Sequence, residues 1–174
     1  VLQILDDTGV KATFFLTGRE IEENQAEAKK IAGAGHELAN HSYSHARMVF
    51  KSPSFIKTEI ERTDQLIREA GYEGPIAFRP PYGKKFVLLP YYLKSNNRET
   101  ILWNLEPDSL PELTNNPKKM MEYVNEHIEP GSIILMHVMY ESREPSLQAV
   151  EGIIQTLKEK GYTFTTVTEL LDYK

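Results

Sequence analysis

Two histidines four residues apart are the first candidates for chemistry. His41 and His45 lie in NHSYSHAR, and one helical turn would bring both imidazoles to one side, as ligation of a metal requires. Two ligands leave a site incomplete, because a catalytic zinc takes three protein ligands and keeps a position open for water. No Asp or Glu near 41–45 offers an obvious third, and the pair also reads as surface or hydrogen-bonded core histidines. Arg79 opens RPPYG, a fixed positive charge followed by two prolines and a glycine that stiffen the turn. The segment is either a rigid loop or an arginine that orients a carboxylate, followed by backbone N–H groups able to stabilise an oxyanion. Prolines offer no N–H, so Tyr82 is the first residue there that can donate. His137 follows SIILM and is either a capped core histidine or a catalytic acid. Asp108 in EPDS is a turn aspartate beside proline or the carboxylate that fixes a histidine tautomer. Trp103, the only tryptophan, either packs in the core or walls a subsite.

These residues need elements to hold them. A recurring unit of amphipathic helix, glycine and short apolar run occurs around Gly9, Gly35, Gly71 and Gly161, as expected of helices closed by a C′ glycine before a strand. The runs VKATFFL, HELAN, IAFR and YTFTTV follow those glycines, and TILWNL and SIILMHV flank a helix around Met121, Val124 and Ile128. Strands alternating with helices predict a parallel sheet with helical crossovers, an α/β barrel or a doubly wound sheet. Active sites of such folds lie at the C-terminal ends of strands, where His41, Arg79, Glu106, Asp108 and His137 all fall. The chain opens inside a helical pattern, so a strand feeding that helix is expected upstream of Val1.

The 174 residues, 40% hydrophobic and 26% charged, suit a single domain spanning 1–174. Twenty basic against 25 acidic residues give a net charge of −5, and no run of like charge reaches five, which argues against nucleic acid or an anionic membrane as partner. With no cysteine, thiolate metal sites and thiol nucleophiles are excluded, and any metal must use His, Asp or Glu. No apolar stretch is long enough to span a membrane, and VLQILDDTG lacks the features of a signal peptide. Any export signal or anchor would lie outside this chain.

Together the motifs resemble the metal-dependent polysaccharide deacetylases of carbohydrate esterase family four, the NodB-homology domain. VKATFFLTG resembles the family's second strand, NHSYSH its metal-binding motif, RPPYG its arginine-proline motif and LMH at 135–137 its closing motif. The resemblance implies a distorted (β/α) barrel of about seven strands, with the first strand missing from this chain. It implies a divalent metal, zinc or else cobalt or another transition metal, with His41 and His45 as ligands. Arg79 would orient the catalytic base, Tyr82 would give its N–H to the oxyanion, His137 would be the general acid, and Leu135 would line the acetyl-methyl pocket. Trp103 would border the substrate, and Asp108 or Glu106 would support His137, since Ser109 and Leu110 occupy positions where the family often has Asp and Trp.

The implied reaction is removal of acetyl groups from a polysaccharide, with N-acetylglucosamine units of peptidoglycan or a chitin-like polymer ahead of xylan. The implied location is extracellular or in the cell envelope. The family's Asp-Asp motif, which supplies the base and a third ligand, belongs on the expected upstream strand, and Asp6-Asp7 reads instead as a solvated helix end. Weak metal binding and little turnover are therefore expected of this chain alone. The alternatives are a non-catalytic carbohydrate-binding domain on the same barrel, with Tyr82, Tyr91, Tyr92 and Tyr140 as stacking faces, and an α/β domain whose histidines are structural.

Overall fold

The computed structural model describes residues 1–173, which fall into two compact units. The larger comprises residues 12–102 with the C-terminal stretch from 166, and the smaller comprises Val1–Lys11 and Trp103–Thr165.

In the larger unit, TFFL forms β1 (Thr13–Leu16) and ELAN forms β2 (Glu37–Asn40). The two run parallel, Thr13 opposite Glu37 and Leu16 opposite Asn40. Parallel strands need a long crossover, here α2 (Gly18–Glu23) and α3 (Gln25–Gly33). The sheet continues as single parallel bridges from Asn40 to Phe78 and from Phe78 to Thr100. Helix α4 (Pro53–Glu69) starts where the Ser52 hydroxyl accepts the Phe55 N–H, with proline in its first turn. Its stripe of Ile56 and Ile60 joins Met48, Phe78 and the inner face of α5 (Leu88–Ser95), Leu89 and Leu93, in one core cluster. Burying each of these side chains is worth about 1.5–3 kcal/mol. Helix α8 (Val167–Asp172) begins with a capping box between Thr166 and Glu169 and belongs to this unit.

The smaller unit is built on α1 (Leu2–Asp7), α6 (Pro117–His127) and α7 (Glu144–Glu159). Met120 and Val124 of α6 meet Ala149, Ile153 and Leu157 of α7, with Leu105 and Leu113 completing the cluster. A single parallel bridge joins Leu105 to Ile134.

The α/β class and parallel pairing agree with the sequence, and so do the glycine stops. Gly9, Gly35, Gly71 and Gly161 all have positive φ, between 63° and 89°, which closes each preceding helix in the left-handed conformation that glycine adopts without steric cost. Asp6 and Asp7 are exposed at the end of α1, as expected. The strand count differs from the expectation. Among the described residues two strands form a continuous ladder, while the segments expected as strands near 78, 100, 105 and 134 pair through one residue each. Their apolar runs bury side chains without a regular backbone ladder, a distinction that hydrophobicity does not encode.

Candidate functional site

The larger unit holds His41, His45, Arg79 and Tyr82. The NHSYSH segment is not helical: Ser42 and His45 stand in the left-handed region, with φ of 64° and 56°, so a turn rather than a helical repeat brings the imidazoles together. Their Nε2 atoms lie 3.1 Å apart. Two nitrogens bound tetrahedrally to one zinc at ordinary bond lengths stand about 3.3 Å apart. The Nδ1 of His41 lies 2.8 Å from the carbonyl oxygen of Arg79; a carbonyl only accepts, so Nδ1 carries the proton and Nε2 presents its lone pair. The spacing of the two nitrogens and the tautomer of His41 fit a divalent cation.

The turn is clamped by residues that the sequence did not bring forward. Buried Asn40 donates from Nδ2 to the Ile60 carbonyl (2.9 Å) and to Asp64 (2.6 Å), while its Oδ1 accepts the Ser42 N–H at 2.8 Å. Arg98 holds Asp64 with two parallel bonds of 2.9 and 2.6 Å. Glu59 accepts the Ser44 N–H (2.8 Å) and hydroxyl (2.9 Å), and the Ser42 hydroxyl accepts the His45 N–H. One signal was readable: Glu59 falls on the apolar stripe of α4, between Ile56 and Thr63, where a carboxylate must have a partner.

Arg79 is 4% exposed. Its backbone N–H donates to the Asn40 carbonyl, its guanidinium lies 3.8 Å from the Phe15 ring centroid, and Nη2 reaches the Leu102 carbonyl. Tyr82 has φ of 60°, a strained conformation for a non-glycine residue. Its ring lies tilted against that of His45, centroids 4.8 Å apart, and carries the Arg47 guanidinium at 5.2 Å.

The smaller unit holds His137, Asp108, Glu106, Trp103 and Leu135. Asp108, fully buried, accepts the His137 N–H at 2.6 Å, and its other oxygen lies 3.3 Å from His137 Nδ1. Burial alone would push this carboxyl up; the side-chain and backbone hydrogen bonds from His137 outweigh that and hold it below the ordinary carboxylate range. Nδ1 is thereby engaged on the carboxylate side of a partly exposed ring. Asp108, rather than Glu106, is thus the carboxylate that supports His137.

Glu106 accepts the Trp103 indole N–H (2.8 Å) and the Ser109 hydroxyl (2.6 Å). Trp103 is half-buried and anchored at its polar edge. Ligand atoms of Glu106, Asp108 and His137 lie within 4.8 Å of one another, a donor set that could hold a cation, although each carboxylate already accepts protein hydrogen bonds. Along the extended run 133–137, Ile134 and Met136 pack into the core, so alternation puts Leu135 on the same side as His137.

Residues 1–100 match the family profile of polysaccharide deacetylases. The chain is 29% identical over its whole length to a peptidoglycan-N-acetylglucosamine deacetylase of Bacillus cereus, covering 81% of that protein. It is 34% identical, over 99% of its length, to the uncharacterized protein YlxY of Bacillus subtilis, of which it spans 52%. Among solved structures, a CE4 family pseudoenzyme from Bacillus anthracis superimposes with a TM-score of 0.87 at 33% identity, over 98% of this chain and 58% of that one. The chain thus spans little more than half of some of its relatives. The motif order, the histidine pair and the family match agree: this chain belongs to the polysaccharide deacetylases.

Proposed function

We propose that residues 1–174 form a single deacetylase domain that removes acetyl groups from N-acetylglucosamine units of peptidoglycan, or a chitin-like polymer, in the cell envelope, on a distorted barrel of the family's kind. The observation that carries the reading is the histidine pair, with two Nε2 atoms 3.1 Å apart and the tautomer of His41 fixed by the Arg79 carbonyl. The peptidoglycan deacetylase of Bacillus cereus supports the choice of substrate.

His41 and His45 would hold a divalent metal, zinc or cobalt. Such an ion, when bound, polarises an acetyl carbonyl and makes a water molecule more acidic. The protein's own part is proton handling and orientation. Asp108 keeps its charge and fixes the His137 ring, so that Nε2 can carry the proton given to the leaving amine. Tyr82 supplies the first backbone N–H after Pro80-Pro81 for charge developing on the carbonyl oxygen. Arg79, anchored by Phe15, orients a carboxylate base. Leu135 would line the pocket for the acetyl methyl, and Trp103 would border the sugar.

The likeness to a pseudoenzyme favours a second reading, in which the domain binds glycan with little or no turnover. One experiment separates the two. Purified protein is dialysed, its metal content is measured, and acetate release from chito-oligosaccharides and peptidoglycan is followed with added zinc or cobalt, beside His41→Ala. From this chain alone, weak metal binding and little acetate release are expected; stoichiometric metal and release, both lost in the variant, would show that a third ligand and a base lie within it. Metal binding without release would move the assignment to the second reading, and no binding by either protein with zinc in excess would overturn the metal-dependent one.

A further inference from the structure

The net charge of −5 conceals an uneven distribution. Residues 38–58 and 74–98 carry eight of the chain's 20 basic residues and none of its 25 acidic ones; with Arg79 buried, Arg98 paired to Asp64 and Lys57 to Glu61, Arg47, Lys51, Lys84, Lys85 and Lys94 remain. Both segments lie in the larger unit, and both present apolar side chains to solvent. Phe50 is 84% exposed and Phe86 51%, and their rings meet at a tilt with centroids 4.9 Å apart. Phe50 also stands in the left-handed region, at φ of 56°. Neither core packing nor backbone preference accounts for a phenylalanine there.

The apolar surface continues from Phe86 into α5. Val87, Leu88 and Tyr91 are exposed, and the spacing of three and four residues puts them on one face, while Leu89 and Leu93 occupy the buried face. Around this surface stand Arg47, Lys84 and Lys85, all exposed, and Lys51, whose ammonium lies over the Phe55 ring. Two carboxylates of α4 are engaged elsewhere: Glu59 is buried on Ser44, and Glu61 serves Lys57 and Tyr92.

We propose that this surface seats the domain on an anionic lipid bilayer. Exposed aromatic and aliphatic tips beside lysine and arginine, in two segments without an acidic residue, match the boundary between acyl chains and negatively charged headgroups. A glycan could stack on Phe50, Phe86 or Tyr91, but Val87 and Leu88 add exposed aliphatic tips that offer its hydroxyls no hydrogen bond and that a bilayer accommodates. No helix is long and apolar enough to cross a membrane, so the contact is a surface one. Seating would hold a glycan-modifying domain close to the membrane; the inference stands whether or not the domain turns over its substrate.

The test is co-sedimentation of the full chain with vesicles of phosphatidylglycerol and phosphatidylcholine, at low and high salt, beside Lys84→Glu/Lys85→Glu and Phe50→Ser/Phe86→Ser. All four positions are exposed, so neither double variant removes a core contact. Binding to phosphatidylglycerol vesicles, weakened by salt and absent with pure phosphatidylcholine, is expected. Each cation near such a surface is worth about fivefold in partitioning, so the lysine variant should lose at least about 20-fold; the phenylalanine variant should lose about tenfold or more. The proposal is overturned if the wild type does not sediment with anionic vesicles, or if both variants bind as it does. It is equally overturned if the phenylalanine variant instead disperses a dimer, or if an anionic polysaccharide is bound through these residues and vesicles are not.

Discussion

His41 combines two demands that ordinary surface histidines do not meet: a fixed tautomer and a second imidazole nitrogen at 3.1 Å. His41→Ala and His45→Ala should each lower metal affinity by more than about 100-fold, beyond the usual effect of outer-shell changes. Titration with zinc against a competing chelator reads this directly, and an unchanged affinity in either variant would remove that residue from the ligand set. The general-acid role proposed for His137 would depend on Asp108. Asp108→Asn keeps shape but not charge, and acetate release should fall by about 10²–10⁴-fold. A pH signature accompanies it. The folded carboxyl titrates below its ordinary value, so its contribution to stability is complete above the unfolded value near about 4 and is lost as pH falls through the lower folded value. The stability difference between wild type and Asp108→Asn should therefore shrink as the medium is acidified below about pH 4, in thermal unfolding followed by circular dichroism. A constant difference down to about pH 2.5 would deny Asp108 its depressed titration. These residues were legible because His, Arg and Asp carry chemistry in their types and fell at strand ends. The clamp of Asn40, Glu59, Asp64 and Arg98 was not, because hydrogen-bond partners 15 to 34 residues apart leave no local pattern.

At the scale of elements, α4 does more than bury isoleucines: through Glu59 it fixes the turn that carries both histidines. Glu59→Gln loses the charge that both Ser44 bonds use, and a cost of about 1–3 kcal/mol is expected. Metal affinity should drop about 10–100-fold, as for other outer-shell partners; if stability falls while affinity holds, Glu59 supports the fold alone. The docking of α5 on α4 has its own reporter. Tyr92 donates to Glu61 at 3.2 Å, and burial, followed by the Glu61 charge, pushes its hydroxyl up to about 12. The folded value lies above the unfolded one near 10, so this contact stabilises fully below pH 10 and is lost as pH rises through about 12. Absorbance titration should show one phenolate forming at lower pH in Glu61→Ala than in wild type, while still above pH 10 because burial, the larger cause, remains; identical curves would show that Glu61 does not contribute. Helix boundaries were readable because cap and glycine chemistry is local. Strand regularity was not, since the runs at 76–79 and 132–138 have the composition of strands yet pair through Phe78 and Ile134 alone.

At the scale of the molecule, the larger unit is closed by its own C-terminus. Helix α8 returns to the first two strands across more than 130 residues of chain: the Val167 N–H donates to the Thr13 hydroxyl at 2.8 Å, and Thr168 donates its N–H (3.1 Å) and hydroxyl (2.6 Å) to Glu37. Glu37 is 3% exposed, and a buried carboxylate is tolerated only where its oxygens are satisfied. Thr13 supplies one further bond at 2.7 Å, so most of the satisfaction comes from a residue 131 positions away. The sequence announced a helix after GYTFTTV, yet nothing in it linked that helix to Glu37, because only the folded chain brings position 168 to position 37. Thr168→Val removes the hydroxyl at nearly constant volume and leaves one carboxylate oxygen without that donor. A loss of about 1.5–3 kcal/mol is expected in urea unfolding, the range for hydrogen bonds to charged groups. Hydrogen exchange should speed at β1, β2 and α8, with α6 and α7 unaffected, since they belong to the other unit. If Thr168→Val unfolds within about 0.5 kcal/mol of wild type, the size of an ordinary surface change, then Glu37 finds its partners without α8 and the terminus does not close the unit.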